Sequence, residues 1–216
     1  MTAVTMIVLA VMAALAAQGT QVPPPPQLPA AGARVYAVEA EASTVAIHVG
    51  KSGLFRFAGH EHEVVAPAVG GEVVADARDL ARSSVWVRFE AASLRVLAKG
   101  EPPEDVPKVQ ATMLGPKVLD VARFAEITFR SRSVSGRPTS PEVYELQVVG
   151  DLSLHGITRA VSLPLRVDLA DDRLTATGRT VIRQTDFDIR PVSVAGVVNV
   201  RNEVAVDFSI SARAVP

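Results

Sequence analysis

The chain of 216 residues contains no cysteine. Disulfides, thiolate catalysis, cysteine-rich zinc sites and iron–sulfur clusters are therefore excluded, and the fold must close by packing and backbone pairing alone. Aromatic residues are scarce: seven Phe, two Tyr and one Trp leave mostly aliphatic side chains to fill an interior. An excess of either charge is missing too. The 22 Lys and Arg nearly cancel the 23 Asp and Glu, for a net charge of −1, and no dense Lys/Arg run occurs. That balance argues against an electrostatic nucleic-acid binder, which needs a basic face. Nucleophile elbow, phosphate loop and dinucleotide fingerprint are all absent. An enzyme is not expected, nor is a cofactor.

The N-terminal region does carry a signal. "MIVLAVMAALAA", Met6 to Ala17, has the length of a signal-peptide core and is short for a bilayer span. Ala14, Leu15 and Ala16 offer the small-residue context that a signal peptidase needs. "QVPPPPQLPAAG" then reads as an extended spacer. The expected organisation is a signal peptide at 1–17, a proline-rich spacer at 18–33 and one domain at 34–216, in a periplasmic or secreted protein. An uncleaved anchor is the alternative, since the spacer would also serve as a tether.

From Arg34 onward the dominant period is two. Val161, Leu163, Leu165, Val167 and Leu169 share one face. So do Val204, Val206, Phe208 and Ile210; Val85, Val87 and Phe89; and Val45, Ile47 and Val49. Such alternation marks half-buried strands. Further strands are expected at 35–41, 63–67, 72–76, 127–134, 143–154, 174–183 and 192–200. Turns are expected at Gly70-Gly71, His155-Gly156 and Asp171-Asp172, which makes neighbours antiparallel. Pro164 lacks a donor and suits a bulge or a poorly paired position. One segment has helical spacing: Val106, Val109, Met113 and Val118 predict a short helix at about 104–119, interrupted at Gly115-Pro116.

About ten strands with one apolar face each need either a sandwich or a closed barrel. Long strands, no second layer of helices and the need to remove edges without disulfides favour closure. The expected fold is therefore all-β: an extended antiparallel β-barrel of about eight strands, wide enough to hold one ligand. Aliphatic walls with small residues such as Ala176, Gly178 and Gly196 between them leave room for a slender apolar guest.

Several stretches, in order, resemble the YceI-like family of lipid- and polyisoprenoid-binding proteins of the bacterial periplasm. They are "YAVEAEASTVAIHVGKSGLFRFAGHEHEV", "SSVWVRFEAASLRV", "VQATMLGPKVLDVARFAEITFRS", "VVGDLSLHGITRAVSLPLRV" and "RQTDFDIRPVSVAGVVNVRNEVAVDFSISA". The resemblance covers about Arg34 to Val215. It implies a lipocalin-like barrel with a helix against one end, an apolar tunnel for a long-chain isoprenoid or related amphiphile, and no catalysis. Contact with a membrane surface would follow from such a ligand. Asp188 departs from the family's pattern, standing where a glycine is usual.

The residues expected to meet a ligand are Leu54, Phe55, Phe57, His60 and His62 at the mouth. Along the walls they are Val85, Val87, Phe89, Leu163, Leu165, Val206 and Phe208. "GHEHEV" places His60 and His62 two apart, so an extended chain points both to one face, with Cα atoms about 7 Å apart. Three readings stand. The pair converges on a metal or haem, with His155 or His48 as the remaining histidines; or it does acid–base chemistry; or it is a polar strand mouth. Glu61 and Glu63 alternate to the other face, and the spacing is not that of a helical zinc motif. Asp186 and Asp188 form a second polar pair, read as a turn or barrel rim because paired carboxylates need a cleft to act.

Overall fold

The structure is a computed structural model describing residues 32–52, 62–67, 70–98, 103–194 and 198–216. The expected signal peptide and almost all of the spacer lie outside the described residues, as do Leu54, Phe55, Phe57 and His60. The alternating segments form twelve strands: β1 (Arg34–Val38), β2 (Thr44–Ser52), β3 (His62–Ala66), β4 (Gly70–Ala75), β5 (Ser84–Glu90), β6 (Arg95–Val96), β7 (Glu126–Ser140), β8 (Val143–Leu154), β9 (Ile157–Ala170), β10 (Arg173–Arg183), β11 (Ser193–Val194) and β12 (Val198–Ala214). The α-helix α1 (Val106–Leu114) joins β6 to β7.

Hydrogen bonding runs β1-β4-β5-β7-β8-β9-β10-β12, and β12 returns to β1. The result is a closed antiparallel barrel of eight strands, as the alternation predicted. β2, β3 and β6 continue from β12 as a second tier below β1, β4 and β5. The upper and lower tiers arise because the chain breaks in mid-course. A 3-10 turn, Ala40–Ala42, separates β1 from β2, and another, Ala91–Ser93, separates β5 from β6.

The break between β1 and β2 falls where both must share one edge of β12. β1 takes Ala212 to Ala214 of that edge, and β2 takes Val204 to Ser209. Between them Ser43 stands in for the missing ladder. Its hydroxyl donates to Glu39 O at 2.8 Å and accepts from Ser211 N at 3.1 Å, while Glu39 N donates to Ser211 O at 2.8 Å. Ser43 and Ser211 are both 4% exposed, so unpaired hydroxyls or amides here would be costly. On the outside the Glu39 carboxylate accepts from Arg213 Nε at 2.9 Å and lies 3.4 Å from Arg173, and Arg213 also binds Asp172. This cluster ties β1 to β12 and to the β9–β10 turn.

The lower tier ends in β6, only two residues long. Its edge is capped by a side chain: Gln110 of α1 accepts from Val96 N and donates to Leu94 O, both at 2.8 Å. The helix begins at Asp105 with Pro107 in its first turn and stops at Gly115. Its apolar residues Val106, Val109 and Met113 pack on Leu94, Val96, Leu119, Leu154, Phe187 and Ile189, which plug that end of the barrel. Phe187 is 1% exposed and is delivered by the 3-10 turn Gln184–Phe187. Asp188 follows with φ of 57°, the left-handed conformation that explains why glycine would be usual there.

Two expectations need correction, and one strand is unforeseen. Gly70-Gly71 is not a turn but opens β4. A Cβ on Gly71 would collide with the Trp86 carbonyl of β5, so the glycine serves close strand approach. The segment 192–200 is not one strand: β11 ends at Val194 and β12 starts at Val198, then runs unbroken to Ala214. β6 was not expected at all. Pro164 does sit where pairing is poor, since β9 stays paired to β10 only from Leu165 to Ala170.

The Glu39 cluster predicts a pH dependence. The Arg213 hydrogen bond holds the Glu39 carboxyl below its ordinary 4.5. A group depressed on folding stabilises the fold above its unfolded pKa and loses that contribution as pH falls through the folded value. The melting-temperature difference between the wild type and Glu39→Gln should thus be largest near neutrality and shrink in strong acid. A difference that stays constant or grows on acidification would remove Glu39 from barrel closure.

Candidate functional site

The barrel surrounds an apolar cavity that is open to solvent, with about 1360 Å³ of empty space when the adjoining open solvent is included. It runs from the β4–β5 connection to the apolar plug. Inward residues of seven barrel strands line it: Val73 and Ala75 of β4, Val85, Val87 and Phe89 of β5, Phe129 and Val134 of β7, Tyr144 to Leu152 of β8, Val161 to Leu169 of β9, Leu174 to Ile182 of β10, and Val206, Phe208 and Ile210 of β12. Polar atoms contribute almost nothing to the wall. Asp76 borders the upper end and is 3% exposed. Its Oδ1 is engaged by the amides of Arg78 and Asp79 at 2.9 and 3.1 Å, and its own amide binds Ser83 Oγ. The carboxylate holds the loop together.

Two glycines keep the lumen open. Gly178 of β10 lies opposite Phe208 of β12, and a Cβ there would stand 2.5 Å from the Phe208 ring and 2.6 Å from Pro164 O. Gly150 of β8 is related in the same way to Phe129, at 2.5 Å. In each case the ring covers the bare backbone instead of crossing the cavity. Flat rings over glycine also let the sheet curve sharply.

The structure places Val85, Val87, Phe89, Leu163, Leu165, Val206 and Phe208 on the cavity wall. Trp86 stands off this wall, opposite Glu72 and Arg130 in the ladders. Leu54, Phe55, Phe57 and His60 lie outside the described residues. His62 begins β3 and pairs in register with Val49. The other two histidines are apart from the cavity. His48 lies on the outer face, with Nε2 3.0 Å from Asp207. His155 occupies the β8–β9 turn with φ of 52°, its Nδ1 3.1 Å from Phe187 O and its ring edge-on to Phe124. Asp186 belongs to the 3-10 turn beneath β9, with its carbonyl bound to Arg159. Sequence reasoning named no wall residue from β7 or β8, although Tyr144, Leu146, Val148 and Leu152 alternate and carry the same signal.

A closed eight-stranded antiparallel barrel around one apolar cavity defines the lipocalin-like class of binding barrels. A model of the YceI-like domain matches residues 36–212. The chain therefore belongs to the YceI-like family. Among solved structures it is similar to Burkholderia cenocepacia BcnA, with a TM-score of 0.58 at 18% identity over 81% of this chain and 98% of that one. It is also similar to a polyisoprenoid binding domain from Saccharophagus degradans implicated in plant cell wall breakdown, with a TM-score of 0.57 at 14% identity over 83% and 98%. The Campylobacter jejuni YCEI protein gives a TM-score of 0.50 at 11% identity over 70% and 82%. At these identities the likeness is one of fold. No functionally curated protein matches the sequence.

The glycine–phenylalanine pairs yield a prediction. Gly178→Ala and Gly150→Ala each push a methyl group into a ring and a neighbouring carbonyl. Overpacking of this kind costs about 1–3 kcal/mol, so both variants should unfold at lower urea concentration. Midpoints equal to that of the wild type would mean the rings move aside freely and do not depend on the missing Cβ.

Proposed function

We propose that the protein is a non-catalytic carrier that holds a long-chain polyisoprenoid or related amphiphilic lipid in its barrel. The single observation behind this is a cavity spanning the barrel whose wall is almost free of polar atoms. Such a wall gives an enzyme nothing to work with but suits a flexible apolar chain. Each methylene moved from water into it contributes about 0.8 kcal/mol. The similarity to a polyisoprenoid binding domain agrees with this class of ligand.

In this reading Val85, Val87, Phe89, Leu163, Leu165, Val206 and Phe208 grip the tail. Leu54, Phe55, Phe57, His60 and His62 form the mouth, where neutral imidazoles hydrogen-bond a small head group and protonated ones favour an anionic head. Native mass spectrometry of the protein, with analysis of its organic extract, should find a lipid. Affinity for a homologous series should rise with chain length until the cavity is full. Replacing His60 and His62 together with Gln should weaken binding of a polar-headed lipid more than binding of a bare hydrocarbon of equal length. An affinity independent of chain length would end the carrier reading. Stoichiometric zinc or haem retention that vanishes in the double variant would assign the histidines to a metal instead.

We infer that the carrier works outside the cytoplasm, with 1–17 removed as a signal peptide and 18–33 acting as a spacer. The support is the apolar run Met6 to Ala17 with small residues at its end. Among the described residues no helix is long and apolar enough to cross a membrane. Intact mass from native cells should show a chain starting near Gln18; a chain that begins at Met1 in the cytosolic fraction contradicts export.

A further inference from the structure

The barrel wall is not uniformly paired. β9 pairs with β8 along nearly its whole length, and β10 pairs with β12 from Arg173 to Arg183. Between β9 and β10, however, the ladder stops at Leu165 and Gly178. Beyond that point residues 160–164 and 179–183 face one another without register pairs. Five residues of strand give a stretch of wall of roughly 17 Å without ladder pairing. Its far end is closed by the turn Gln184–Phe187, where Arg159 Nε donates to Asp186 O at 2.9 Å.

The gap is written into the sequence. The Pro164 carbonyl lies 2.6 Å from where a Gly178 Cβ would be, so it is directed at β10. In a strand the N–H and C=O of one residue address the same neighbour. The donor that proline lacks is thus one that would have continued the ladder to β10. Gly178 is the last residue of β10 with a register partner on β9.

What borders the gap is the cavity. Val161 and Leu163 on one rim and Thr180 and Ile182 on the other belong to its wall. Between them on the outer surface stands Val181, 59% exposed, the most exposed large apolar side chain among the described residues. Polar atoms contribute almost nothing to the cavity wall, so a polar head gains little inside and stays at an opening while the tail goes in.

We propose that the gap between β9 and β10 is a lateral portal through which the apolar tail of the ligand enters and leaves the barrel. This rests on the reading of the cavity as a lipid site. The wall then exchanges ligand from its side, without the barrel ends opening.

Because the chain has no cysteine, the portal can be stapled cleanly. Ser162→Cys and Val181→Cys put one thiol on each outer rim, and a short bis-maleimide joins them after folding. Arg166→Cys and Thr177→Cys, register partners on the intact ladder, form the control pair. The probe is diphenylhexatriene, a rod-shaped apolar fluorophore, with uptake and release followed by fluorescence. The portal staple should slow both by roughly tenfold or more and leave affinity unchanged, because a portal acts on rates and not on the bound state. The control staple should change neither. Exchange through the stapled portal at the unstapled rate overturns the portal alone. Failure of the unmodified protein to take up the probe overturns the portal together with the carrier reading.

Discussion

One edge of β12 has to serve two strands, and the rest of the barrel depends on how that edge is divided. β1 closes the upper ring against Ala212–Ala214, while β2 opens the lower tier against Val204–Ser209. A straight strand cannot do both, so the chain steps aside at Ala40–Ala42 and leaves backbone groups without ladder partners. Ser43 repairs this with one hydroxyl that both donates and accepts. Glu39, Arg213 and Arg173 brace the same point from outside. In a chain without disulfides this junction is what turns a curved sheet into a ring.

Closure creates an interior, and the composition decides what fills it. With so few aromatics, a ring crossing the lumen would have filled much of it. Instead Phe129 and Phe208 lie against Gly150 and Gly178. The large residues that do plug space, Phe187 and the apolar face of α1, are gathered at one end. The molecule separates a solid core from an empty lumen along its axis, and the polar groups near the lumen are spent on local loop bonds, as Asp76 illustrates.

Much of this was legible in the sequence because period-two alternation reports directly on which face is buried. β8 was read to the residue, and the inward faces of β5, β9 and β12 followed from Val, Leu and Phe alone. The parts that escaped depend on interactions without a local signature. β6 depends on Gln110, a residue of the helix α1 with no strand signature of its own, which supplies its edge bonds. Gly70-Gly71 carries the composition of a turn but is needed for strand approach. The mouth motif around His60 lies outside the described residues.

The shared edge also has a consequence for folding. The contact between Arg213 and Glu39 joins positions 174 residues apart, and every hairpin between them is local by comparison. Loop-closure entropy must be met before such a distant pairing gives anything back, which makes non-local β topologies slow to fold. A sheet of the strands from β4 to β10 formed before β12 would hold its apolar concave face in water. Such a sheet would be exposed to aggregation. An apolar guest that binds the concave face would shelter it, so the same surface that defines the finished lumen can also favour completion of folding by mass action.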